Sequence, residues 1–197
     1  LLMSAESLTA FGNTVPTSFL RLVPHQEAPT TICWGERNRA VLVRVPLGWI
    51  GVGRQMVADA NPQERLEDLP PFEANQTVEL RSPDGSANVH LLLAGMAAAV
   101  RHGLEHPQAL QVARDLQAGR GGAEAARWKH LPGSCHESAR CLLRDRARYE
   151  EGGVFPAALI DSTAAALQAY DDRDLGERLA GDPDRLATLV QQHLHCG

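Results

Sequence analysis

The chain has 197 residues, 44% of them apolar and 22% charged, with a net charge of −5. That balance is ordinary for a globular protein large enough to bury one core. It excludes nucleic acid or an anionic membrane as the main partner, since both select a net basic face.

No apolar run approaches the ~20 residues that a membrane-spanning helix needs. The four cysteines, at 33, 135, 141 and 196, form no C-x-x-C pair, so neither a zinc ribbon nor a thioredoxin-like motif is present. They read as the reduced thiols of a cytoplasmic protein. His193, His195 and Cys196 cluster near the C-terminus and read as the polar end of a helix rather than a metal site. The first residue is Leu1, not Met, and the opening residues look like part of a helix. The expectation is a chain that begins inside a larger protein, with any targeting segment upstream.

Residues 1–11 look helical and stop at Gly12. Residues 13–29 hold three prolines without clean periodicity and read as an ordered loop. The runs 30–34 and 40–45 are apolar or β-branched and flank the polar stretch 35–39, which predicts a hairpin with Arg37 and Arg39 near its tip. Residues 47–76 carry Gly48, Gly51, Gly53 and Pro62 and read as an irregular insertion with one short helix at 63–68. Residues 76–81 alternate in strand fashion, with Glu79 and Arg81 on one face and Val78 and Leu80 on the other.

A turn at 82–85 leads to Ser86 as the cap of a helix from Ala87 to about Gly103. That helix is apolar nearly all round and is expected to be buried. A further helix follows at 107–118. The glycines at 119–122 are no phosphate loop, because no strand precedes them and no Lys-Ser/Thr ending follows. Beyond them, Ser134 and Glu137 form a capping box, and Cys135, Ala139, Leu142, Leu143 and Tyr149 mark one helical face. Pro156 opens another helix through Tyr170, and Asp182 with Pro183 opens the last. Arg144, Arg146 and Arg148 fall on solvated helix faces and call for no functional reading.

The sharpest signal is a set of single arginines, Arg21, Arg37, Arg39 and Arg44, set among apolar and proline-rich residues. Guanidinium forks suit bidentate capture of carboxylate or phosphate oxygens. The pattern therefore predicts an anion site on a mildly acidic protein. Two bland readings stand beside it: Arg37 could simply tie down its loop, and Arg44 could pair with an acidic neighbour. Trp34 and Trp49 read as core residues rather than adenine platforms.

The run 13–29, with Arg37-Asn-Arg39, Arg44-Val-Pro46, residues 79–88, 131–134 and 153–161, resembles the C-terminal half of the glutamine synthetase catalytic domain. The similarity runs over nearly the whole chain, without a gap from Asn13 to Pro46. It implies an α+β fold: antiparallel strands of a half-barrel backed by helices. Residues 1–104 would be the strand-and-flap part and 105–197 the helical part, and the family's N-terminal domain would be absent.

The resemblance also implies roles. Arg21 and Arg81 would hold glutamate. Glu27 would sit on a flap closing over the site and take a proton from the incoming ammonium. Arg39 would contact the ATP phosphates, Arg44 would support the same region, and Glu79 would bind a divalent Mg²⁺ or Mn²⁺. The reaction implied is ATP-dependent joining of ammonia to glutamate through γ-glutamyl phosphate, in a cytoplasmic, ring-shaped homo-oligomer. Joining glutamate to another amine is the alternative within the same chemistry, and a non-catalytic structural or regulatory relative is the alternative outside it.

The sequence departs from the family at several points. Thr77 stands in place of a second arginine, Ala40 in place of a serine, and Val89 with His90 in place of a Pro-aromatic pair. No Glu-x-Glu strand supplies further metal ligands. Residues 1–197 by themselves are therefore expected to be inactive.

Overall fold

The computed structural model describes residues 1–23, 28–46, 54–69, 77–119 and 128–194. Among these, ten α-helices and a small three-stranded mixed sheet make an α+β fold.

The core is helical. A 3-10 turn at Leu2–Ser4 leads into α1 (Ala5–Gly12), which is buried along almost its whole length. It packs against α4 (Val89–Glu105), α6 (Cys135–Arg144) and α8 (Ala157–Gln168). Phe11 is the hub. Its ring lies 5.4 Å from Tyr149 in an edge contact and 5.2 Å from Phe155 in a stacked one. Gly95 lets α4 come this close, because a Cβ there would lie 3.0 Å from Phe11 Cδ2.

Capping follows the expected chemistry with one shift. Ser134 Oγ accepts from the Glu137 N–H at 3.1 Å, as a capping box requires. The Glu137 carboxylate, however, reaches one residue further back and accepts from Gly133 N at 2.8 Å. The same helix start is held by Asp172, buried to 3% exposure, whose two oxygens accept from Cys135 N at 2.7 Å and His136 N at 3.1 Å. Pro156 precedes α8 directly, and Asp182 caps α10 (Pro183–His193) through Arg185 N at 3.0 Å.

The sheet lies at one side of the helices. Strand β1 (Trp34–Glu36) pairs with β2 (Val43–Val45), and β2 pairs with β3 (Glu79–Leu80). The second pairing is antiparallel. The first is parallel, with Trp34 opposite Val43 and Glu36 opposite Val45, so the expected hairpin is not formed. Arg37, at φ 54, turns the chain out of β1, and the Asn38 side chain accepts from Ala40 N at 2.9 Å. Residues 37–42 thus loop back to the level at which β1 begins, instead of folding straight over. Trp34 also bridges to Gln117 beside α5 (Ala109–Asp115), and its ring N–H donates to Ala113 O at 2.6 Å.

Four other expectations change. Residues 16–21 are helix, not loop: Pro16 takes the first position of α2 (Pro16–Arg21), where its missing N–H costs nothing. The short helix of the insertion is α3 (Arg54–Ala60), with turns rather than helix at 62–68. Helix α4 is capped by Asn88, whose side chain accepts from Leu91 N at 3.2 Å, not by Ser86. It is also far from buried, since Val89, Leu93, Val100 and Leu104 all face solvent.

The short helix α7 (Arg146–Glu150) presents Tyr149 to the core, and α9 (Leu175–Leu179) links α8 to α10. None of the described helices is long and apolar enough to cross a membrane.

Candidate active site

Strand β3 and the turn after it organise the candidate charges. Glu79 sits opposite Arg44 in the β2–β3 register, and the pair closes across the strands: Arg44 Nη2 lies 2.9 Å from Glu79 Oε1 and 2.7 Å from Oε2. The hydrogen bond from Arg44 is the main cause that holds the Glu79 carboxyl below its ordinary range, with the charges of Arg44 and Arg81 acting in the same direction. Both side chains are partly exposed, so the pair sits at the surface of the wall.

The next charge along is Arg81. Its backbone N–H donates to Leu42 O at 2.9 Å, which continues the strand ladder by one bond. Its guanidinium Nη1 donates to the carbonyls of Arg39 and, at 3.4 Å, Val41. Arg81 therefore fastens the loop that carries Arg39, and the Arg37 and Arg39 side chains project into solvent. The expected face pattern holds in part: Leu80 packs on the core, while Val78 is exposed.

Arg21 arrives from the other side, at the C-terminal end of α2. Its Nη2 donates to the carbonyls of Ser82 and, at 3.2 Å, Pro83. Asn13, fully buried, donates to the same Ser82 carbonyl at 2.8 Å. Thr14 N–H and Oγ1 bond to Ser86 Oγ and Ser86 O at 2.9 and 2.7 Å, and the Asp84 carboxylate accepts from Ser86 N and Oγ. The junction of α1 and α2 is thereby clamped to the 82–88 turn. No carboxylate among the described residues pairs with Arg21.

The candidates thus form an assembly of separate contacts along residues 79–83: Arg44 pairs with Glu79, Arg81 bonds to the Arg39 carbonyl, and Arg21 bonds to the Ser82 and Pro83 carbonyls. Glu27 and His25 of the expected flap lie outside the described residues, as do Trp49, the glycines of 48–53, His195 and Cys196. The clamp by Asn13, Thr14 and Ser86 was not foreseen. Asn13 and Ser86 were both visible as polar residues beside helix ends, but only tertiary packing brings them together.

A divalent cation of the Mg²⁺ type needs about six oxygen ligands, water included. The described residues hold no group of three or more His, Cys, Asp or Glu side chains positioned to share one. The one carboxylate of the assembly, Glu79, already shares both oxygens with Arg44. The described residues therefore do not by themselves fit a metal centre, although Glu79 could contribute one ligand on leaving Arg44.

In this wall single guanidiniums are held by main-chain carbonyls beside a strand carboxylate. Residues 1–169 match the family described as "Glutamine synthetase, catalytic domain", and the chain belongs to that family. It is 33% identical to a glutamine synthetase of Mycobacterium bovis over 165 residues, which cover 82% of this chain and 30% of the relative. It is 32% identical to a glutamine synthetase of Pyrococcus abyssi over 94% of this chain and 38% of the relative. A crystal structure of a novel glutamine synthase homolog superposes with a TM-score of 0.54 at 25% identity, over 91% of this chain and 36% of the other. The chain thus spans about a third of the length of the relatives it matches.

Proposed function

We propose that this chain forms one wall of an ATP-dependent ligase site that joins ammonia to the γ-carboxylate of glutamate by way of γ-glutamyl phosphate. The observation that carries the reading is that Arg21 and Arg81 are held on main-chain carbonyls of residues 82–83 and 39–41 while, across β2 and β3, Arg44 pairs with one carboxylate, Glu79. Arg21, with no carboxylate partner among the described residues, suits the glutamate carboxylate, and Arg81 flanks the same place. Arg39 extends from the loop that Arg81 fastens and suits the nucleotide phosphates, with Arg44 beside it. Phosphoryl transfer spreads charge over the phosphate oxygens, and fixed cations lower the barrier by meeting that charge where it develops. Glu27, on the proline-bracketed run 24–29, is assigned the proton of the incoming ammonium and a share in excluding water from the acyl phosphate.

The family's divalent ion would neutralise phosphate charge, and Glu79 is the residue here that would contribute to holding it. Further carboxylates are required, and in this proposal they come from parts of the family fold that residues 1–197 do not provide. The residues 1–104 then serve as the strand-and-flap part and 105–197 as its helical support. Residues 1–197 alone are inactive on this reading, and the active form is a cytoplasmic homo-oligomer.

Phosphate release from ATP is the test. Measured with glutamate, residues 1–197 alone should show no ammonium-dependent release; turnover by them would overturn the need for added carboxylates. In the complete polypeptide, release should depend on glutamate and ammonium together and fall at least 100-fold in Arg21→Gln. Release supported only by alkylamines or polyamines would replace ammonia with another amine. No release with any amine, despite nucleotide binding, would favour a structural role.

A further inference from the structure

A second cavity lies away from the arginine wall, between α2, the end of α8, α9 and α10. It measures about 530 Å³, within the range of small-molecule sites. Residues 170–194, which supply most of its lining, lie beyond the 1–169 stretch matched to the family.

Its lining divides into two parts. One is apolar, made of Leu175, Leu179 and Leu189 with the ring of Tyr170 and Pro16 at the start of α2. The other carries Arg178, Arg185 and His193. Arg178 Nη2 donates to the Asp171 carbonyl at 2.8 Å, and no carboxylate among the described residues bonds to the Arg185 guanidinium. The one carboxylate in the lining, Asp172, spends both oxygens on the first N–H groups of α6. Asp174, Glu177, Asp182 and Asp184, the other acids nearby, do not line the cavity.

His193 closes the cavity beside Tyr170, its ring edge-on to the phenol ring at 5.7 Å.

We propose that this cavity binds a small organic anion, a carboxylate on an apolar or aromatic body. Its oxygens would meet Arg178 and Arg185, and its body would lie on Leu175, Leu189 and Tyr170. Charge-assisted bonds from two guanidiniums give orientation, and the apolar floor selects against small inorganic anions. The site concerns binding alone and does not depend on the ligase reading. Its floor is nonetheless the N-terminal end of α2, whose other end, about 8 Å away by helical rise, carries Arg21.

Calorimetric titration of the intact protein with 3-phenylpropionate, inorganic phosphate and 3-phenylpropanol tests this. Saturable binding is expected for the carboxylate, at least tenfold weaker binding for phosphate, and none for the neutral alcohol. Arg178→Gln with Arg185→Gln should weaken carboxylate binding tenfold or more, while Arg173→Gln, an exposed arginine paired with Asp171, should leave it unchanged. The Tyr170 ring resonances should shift on titration and those of the buried Tyr149 should not. Absence of saturable binding, equal binding of phosphate, equal binding by the double variant, or an unmoved Tyr170 ring would each overturn the proposal.

Discussion

The helical core and the arginine wall handle polar groups in opposite ways. In the core, side chains satisfy one another: Ser7 and Tyr149 share a hydrogen bond of 2.7 Å, and Thr9 and Ser138 one of 2.6 Å. Ser7 and Thr9 also donate to the Ser4 and Glu6 carbonyls, so these neutral hydroxyls find their partners within the core helices and their caps. In the wall, guanidiniums bond to main-chain carbonyls, Arg21 to Ser82 and Pro83, Arg81 to Arg39 and Val41. A carbonyl orients a guanidinium without cancelling its charge, so Arg21 and Arg81 keep their field. The core is built for stability; the wall gives up some stability to hold cations in place.

That contrast can be broken most directly in the core. Leu142 has no exposed surface, and Leu142→Ala should cost about 2–5 kcal/mol. Urea unfolding followed by far-UV circular dichroism measures this. The described tryptophans, Trp34 in β1 and Trp128 packed on Cys33 and Val41, lie off these helices, so their fluorescence follows the other region. Coincident transitions would mean that the wall folds only on the core; an unchanged fluorescence midpoint would mean that it stands alone. Asp172→Ala, which strips two N–H groups at the start of α6 of their acceptor, should cost about 1–3 kcal/mol by the same measurement.

Tyr149→Phe is milder, about 0.5–1.5 kcal/mol, because Ser7 Oγ keeps its bond to Ser4 O. Burial pushes the Tyr149 phenol up to about 12. The folded value lies above the unfolded one, so this contribution is complete below about pH 10 and is lost as pH rises from there towards 12. Alkaline unfolding should therefore begin later for Tyr149→Phe than for the parent protein when both are normalised to their stability at pH 8. Identical normalised curves would show that the phenol plays no part in the alkaline limb.

Legibility in the sequence follows the same division. Helix starts announced themselves through local chemistry: Ser134, Pro156 and the Asp182–Pro183 pair each start a helix, and of the stripe Cys135, Ala139, Leu142, Leu143 and Tyr149 all are buried but Leu143, which is partly so. Pro16 carried the same first-position signal for α2, but the prolines around it masked the helix. The wall was harder to read, because its strands are two or three residues long and parallel pairing of β1 with β2 depends on the tight turn at Arg37. The arginines were visible as a set. Their partners were not, since carbonyls carry no sequence signature. Only the Arg44–Glu79 pair was foreshadowed, as one of two readings of Arg44. The apolar character of α4 was read correctly, but it does not reveal which side is covered, and Leu104 stands 84% exposed.

Glu79→Gln is the smallest expected effect on stability and the sharpest probe of the wall. The Glu79–Arg44 pair is partly exposed, so its loss at neutral pH should barely move the unfolding midpoint. The acid limb is different. Hydrogen bonding to Arg44 lowers the folded Glu79 value below the unfolded one, so its contribution is present above the unfolded carboxyl range and fades as pH falls through the lower folded value. The glutamine variant should lose less stability than the parent on acidification below about pH 4.5. Arg44→Gln should flatten the same limb, because it removes the largest cause of the lowered value. If Glu79→Gln flattens the limb and Arg44→Gln does not, the carboxylate is held by something other than Arg44 in solution. Arg81, the other charge acting on Glu79, would then be the group that holds it.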